Sequence, residues 1–197
     1  MYHYPAPFLL DNAERGDLFV LHLVKEGKVL HDTLGFFSRV CNQFTFKDSY
    51  GPEIEDASLI MRFFVERPRL LLKTAPRKRL VWALRTAIIA RSAEEKSPAF
   101  SSSALASFSK IPELKDAIDH RNNPNLESYL RITQRVYSKF GCKTEVESYW
   151  PREKSAQRAL MHQRGGIVAD TLSFVQPAGL IKKRKATEDD GHFFYSH

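Results

Sequence analysis

Thirty residues from Arg62 to Arg91 carry nine Lys or Arg side chains against one acid, Glu66, a local charge of +8 in a chain whose total is +7. Cations interrupted by Leu, Val, Ile and Ala, rather than strung along a polar tail, mark a folded surface with a lasting positive potential. The chemistry of such a surface is attraction of phosphate or anionic lipid headgroups. Within the block, Lys78, Trp82, Arg85 and Ile89 recur at i, i+4, i+7 and i+11, with Arg79 beside them. On a helix this spacing sets cations around an indole, so Lys78, Arg79 and Arg85 are candidates for backbone phosphate and Trp82 for stacking on a base. Arg131, Arg135 and Lys139 form a second basic row at i, i+4 and i+8, and the two rows make one patch if their helices are neighbours. The commoner fate of a charge run is a solvated face whose long side chains cover core edges. Here the scarcity of compensating acids favours binding, because an ordinary solvated helix mixes signs at i, i+4.

Near the C-terminus, Lys182-Lys183-Arg184-Lys185 resembles a monopartite nuclear localisation signal. Import receptors take such peptides extended in acidic grooves, so a signal in an unstructured tail is accessible to them. The seven histidines show no HxH, HExxH or HxxxH spacing, and Cys41 and Cys142 lie far apart with no CxxC, so neither a metal site nor a disulfide framework is indicated. No phosphate-binding or dinucleotide-binding glycine motif and no GxSxG occurs, and no cofactor is expected. Asp119-His120, His31-Asp32 and His162 would do acid–base work only through pairings in space. Glu53, Glu55 and Asp56 are read as the acidic first turn of a helix rather than as a catalytic cluster. Tyr4-Pro5-Ala6-Pro7-Phe8-Leu9 matches the loose tyrosine-proline-spacer-leucine pattern that some viral structural proteins use, and otherwise reads as an extended N-terminal strap.

These side chains need elements to position them. Short apolar, partly β-branched runs at 18–25 and 167–175, the alternation at 143–150 and Phe44 to Lys47 predict strands. Helical spacing or start and stop signals predict helices over 30–41, 53–66, 77–93, 111–120, 124–140 and 152–163. The serine-rich stretch 97–110 reads as an internal linker. With 43% hydrophobic residues the chain has ample core material, and it lacks a signal-peptide pattern, an Asn-x-Ser/Thr site and an apolar run long enough to span a bilayer. The expectation is a soluble, intracellular, helix-dominated α+β domain over residues 1–180, with a few short antiparallel strands, followed by a disordered basic and acidic tail, 181–197.

The leading expectation for function is a non-enzymatic protein, found in nucleus and cytoplasm, that binds nucleic acid or a nucleoprotein through the basic helical face and meets a nuclear import receptor through its tail. A second is a small viral matrix-type structural protein whose basic face meets an anionic membrane surface and a nucleocapsid. A third, less favoured, is an enzyme using His120 or His162.

Overall fold

The computed structural model describes residues 4–120 and 125–175. Among these, helices account for 74% and there is no strand or sheet, so the α+β expectation is corrected to an all-helical fold. The reason is visible at each predicted strand. Residues 18–25 lie in α2, Leu18–Glu26, because the Asp17 carboxylate accepts from the backbone N–H groups of Phe19 and Val20 at 2.8 and 3.2 Å and starts a helix there. One turn of α2 then buries Val20 and Leu21 on two different apolar clusters. Residues 143–149 form α9, Lys143–Tyr149, whose Val146 is fully buried. The predicted last strand divides into α11, Gly166–Asp170, and a 3-10 helix, Thr171–Val175, which Thr171 steadies by donating its hydroxyl to the Ile167 carbonyl at 2.9 Å. Phe44 and Phe46 make an edge-on aromatic pair, centroids 5.3 Å apart, in an irregular segment rather than a strand. Short apolar runs do not distinguish strand from buried helix, and here burial among helices decides.

The centre of the molecule is α4, Gly51–Val65, packed along α5, Thr74–Glu94, with a 3-10 helix at Pro68–Leu72 between them. Pro52 and Glu53 in its first turn begin α4 as expected. The three acids there are all engaged: Glu53 pairs with Lys47, Glu55 accepts from Tyr149 at 2.7 Å and pairs with Arg164, and Asp56 also takes Arg164. The residue spacing in α5 predicts one packed stripe and one displayed stripe. Leu80, Val81, Leu84, Ala87 and Ile88 are buried as that spacing predicts, and burial spreads further, to Ala83, Thr86, Ile89 and Ala90, which leaves Lys78 exposed and Arg79, Trp82 and Arg85 half-buried.

The stretch read as a linker carries α6, Ser102–Ser109, capped by the Ser101 hydroxyl, which accepts from Ala104 N–H at 3.2 Å. Ala99 and Phe100 just before it are buried, and one apolar cluster runs from Leu21 to Leu172 across the segment. Helices α7, Glu113–Asp119, and α8, Leu126–Lys139, follow; α8 lies against α4, α5 and α7. The Tyr129 hydroxyl donates to the Ala117 carbonyl at 3.0 Å and ties α8 to α7. Gly141 follows α8 because a Cβ there would stand 2.8 Å from Ser58 Oγ on α4, a close approach rather than a left-handed cap. Helix α10, Lys154–Arg164, lies against α11.

Helices α1, Ala6–Glu14, α2 and α3, Phe36–Gln43, share a small cluster of their own around Ala13, Val20 and Val40. The tyrosine-proline motif is therefore part of a folded helix rather than a strap, with the Tyr4 ring 5.9 Å from Phe8 and 4.9 Å from Phe19. The predicted helix 30–41 begins only at Phe36. Both Asp32 carboxylate oxygens accept backbone N–H groups, of Phe36 at 2.9 Å and of Phe37 at 2.8 Å, and Gly35 takes φ +62° ahead of them. Leu30 and Leu34 are left outside any helix. The basic tail, including Lys182, Lys183, Arg184 and Lys185, lies outside the described residues.

Candidate anion-binding surface

The block from Arg62 to Arg91 spends most of its charge inside the fold. Arg77 is 3% exposed and donates to the Leu71 carbonyl at 2.8 Å and the Thr74 hydroxyl at 3.2 Å. Arg79 reaches across to α11 and donates to the Ile167 carbonyl at 2.9 Å, with its guanidinium over the Phe174 ring. Burial lowers the Arg79 pKa from its ordinary value, and the nearby Asp170 carboxylate works against that. Arg85 donates to the Phe100 carbonyl at 3.1 Å, and Arg91 to the Phe140 carbonyl at 3.2 Å where α8 ends. Arg62 and Arg67 meet Glu66, with Glu147 also on Arg62 and Gln157 on Arg67. In each case a long cationic side chain satisfies a carbonyl or carboxylate belonging to another part of the fold, as helix ends and connections require. Trp82 is half-buried and packs against the main core. From this block, Arg69, Lys73 and Lys78 remain exposed.

Helices α5 and α8 are neighbours, but the side chains of the two rows take different partners. Arg79 is directed to α11 and Arg85 to the segment before α6, while Arg131, Arg135 and Lys139 converge on the α6–α7 corner. Arg135 donates to Glu113 at 3.0 and 3.2 Å and to the Lys110 carbonyl at 3.3 Å. Lys139 donates to the Ser109 carbonyl at 2.9 Å, and Arg131 stands 3.9 Å from Glu113. The Glu113 carboxyl is held below its ordinary range by its own backbone N–H and by Arg135 and Arg131. Lys110, which sequence reasoning passes over, joins them: it ends α6 at φ +57° and is exposed. The signal available is a lysine directly before Ile111-Pro112, where a helix must stop. Counting α7 as well, the corner holds Lys110, Lys115, Arg131, Arg135 and Lys139 against Glu113, Asp116 and Asp119, a net +2, and Lys115 is paired with Asp119 at 2.7 Å. The Arg131 and Arg135 side chains there are 60% and 44% exposed, within reach of an external anion. A second exposed row, Lys154, Arg158 and His162, lies along α10.

The carboxylates next to His120 and His31 in the sequence make their hydrogen bonds to other groups. Asp119 is taken by Lys115, and Asp32 by the backbone of α3. His162 lines a shallow hollow with Arg158, Ala159, Leu172 and Val175. His22 meets Glu26 at 2.9 Å and stacks on Phe100 with centroids 4.7 Å apart. Among the described residues no group of His, Cys, Asp and Glu is placed to hold a metal ion, and no helix is long and apolar enough to cross a membrane. Compared with protein-family models, with curated proteins and with solved structures, the chain matches none of them.

Proposed function

We propose that this is a non-enzymatic, nuclear-targeted protein that binds nucleic acid or a nucleoprotein through the cationic corner of α6, α7 and α8. The observation that supports it is the convergence of Lys110, Arg131, Arg135 and Lys139 on residues 109–113, where Glu113 faces both arginines. Fork-shaped guanidiniums presented beside a lysine suit phosphate oxygens, and a phosphate displacing Glu113 would keep the geometry the corner already has. Backbone contact of this kind releases counterions. Replacing Arg131, Arg135 and Lys139 with Gln is therefore expected to weaken binding to a single-stranded oligonucleotide, and to flatten the log–log salt dependence by about 0.7 for each phosphate no longer neutralised. Fluorescence anisotropy across a salt series reads both, with Lys154→Gln/Arg158→Gln on α10 as the control. An α8 triple variant that keeps the parent's slope, or an α10 control that loses it, contradicts the assignment.

The tail cluster supplies the nuclear half of this reading. In a tagged fusion too large to diffuse through the pore, Lys183→Ala/Arg184→Ala is expected to move the protein to the cytoplasm with its melting temperature unchanged, since a signal read as an extended peptide contributes nothing to the core. Continued nuclear accumulation of that variant would show that the cluster is not an import signal. A matrix-type role joining anionic membrane and nucleocapsid is favoured by one further observation, the exposed aliphatic tip between α2 and α3.

A further inference from the structure

Val29, Leu30 and Leu34 are 52%, 98% and 83% exposed, three of the five large hydrophobic side chains left bare among the described residues, and they fall within six residues of one connection. Scattered single apolar side chains on a surface need no explanation, but three at one projecting tip do. The tip is held in shape from both ends. Gly27 closes α2 by donating to the Leu23 carbonyl at 2.8 Å, and a Cβ at Gly27 would collide with that same carbonyl. At the other end Asp32 spans two backbone N–H groups of α3 and Gly35 takes the left-handed conformation. A segment so anchored presents its side chains at little conformational cost on binding.

Lys25, Lys28 and Arg39 flank the tip in the sequence and are exposed, with Lys25 over the Phe46 ring and Arg39 over that of Phe36. The same stretch holds two acids, Glu26 beside His22 and Asp32 bonded to the backbone, so residues 25–39 carry a net +1 with His neutral. We propose that residues 27–35 are a membrane-docking tip, which seats Val29, Leu30 and Leu34 in the interfacial layer of an anionic bilayer while Lys25, Lys28 and Arg39 meet the lipid phosphates. Three aliphatic side chains projecting from a connection, without a groove and without an aromatic anchor, suit a deformable acyl boundary better than the pocketed surface of a protein partner. The basic collar gives the tip its choice of lipid. This site shares no residue with the α8 corner and stands whether or not that corner binds nucleic acid.

The test is sedimentation of the full chain with vesicles of phosphatidylcholine containing phosphatidylserine, beside vesicles of phosphatidylcholine alone. The parent is expected to bind the mixed vesicles preferentially. Leu30→Ser/Leu34→Ser should lower the partition coefficient by at least about tenfold, and each neutralised cation among Lys25, Lys28 and Arg39 by about fivefold. Leu30→Trp gives an independent reading, since emission from that position should move to the blue and be quenched by brominated acyl chains. Parent protein that stays in solution, or a double serine variant that sediments like the parent, overturns the proposal. So does a monomer produced by the serine variant from a parent that is dimeric without lipid, because the tip would then be docking on a second copy.

Discussion

Phe64→Ala is expected to lower the free energy of unfolding by about 3–5 kcal/mol. Phe64 is fully buried on α4, edge-on to Phe63 with centroids 5.3 Å apart, and its ring stands 6.3 Å from Phe174 near the end of the described chain. Truncating it forfeits the apolar area of the ring and opens a cavity where α4, α5 and the last 3-10 helix meet, which a close-packed interior cannot refill without moving helices. A domain of ordinary stability holds only about 5–15 kcal/mol in total, so the variant should sit near the edge of folding. Leu30→Ala, by contrast, should change stability by less than about 0.5 kcal/mol, since nothing packs on a side chain 98% exposed. Urea denaturation of both variants checks the pair. Equal midpoints would mean that the expected helix over 30–41 exists after all and that Leu30 packs on its inner face.

Replacing Arg77, Arg79 and Arg85 together with Gln is expected to remove about 4 kcal/mol or more, although all three lie in the stretch that sequence alone marks as a binding face. Each donates to a carbonyl of a different segment, at Leu71, Ile167 and Phe100. A charged donor on a poorly solvated carbonyl contributes about 1.5–3 kcal/mol, and its removal costs the Leu71 and Phe100 carbonyls a donor, while the Ile167 carbonyl keeps the Thr171 hydroxyl. Glutamine is too short to reach any of the three. The apolar stems of the arginines, which cover core between the helices, are removed as well. Because α5 touches so much of the fold, the three effects act on one cooperative unit and will not add strictly.

How much of this is legible in the sequence follows from what each signal depends on. Helices over 51–65, 74–94, 126–139 and 154–164 announce themselves through local signals: Pro52 and Glu53, Pro76, the amphipathic period of α8. The strands predicted at 18–25, 143–150 and 167–175 rest on short apolar or alternating runs, and what settles them is an Asp17 cap and burial among helices that no local pattern contains. The α8 row is found because Arg131, Arg135 and Lys139 lie on the exposed face of an amphipathic helix, where period and exposure agree. The α5 block misleads because its helix is central. A wheel shows where Arg79 and Arg85 start but not the carbonyls they reach, which lie 88 and 15 residues away in the chain. Leu30 and Leu34 stand at helical spacing, and only the doubly bonded Asp32 reveals that the helix starts after them.

The charge of the α5 block holds the fold together, while the charge of the α8 row faces outward. Chemical denaturation of two triple variants, Arg77→Gln/Arg79→Gln/Arg85→Gln and Arg131→Gln/Arg135→Gln/Lys139→Gln, measures that division directly. The expected result is a drop of about 4 kcal/mol or more for the first and a smaller one for the second, in which the ion pairs of Arg131 and Arg135 are exposed and only Lys139 makes a part-buried bond to a carbonyl, that of Ser109. Equal drops, or a greater one in the α8 triple, would contradict it.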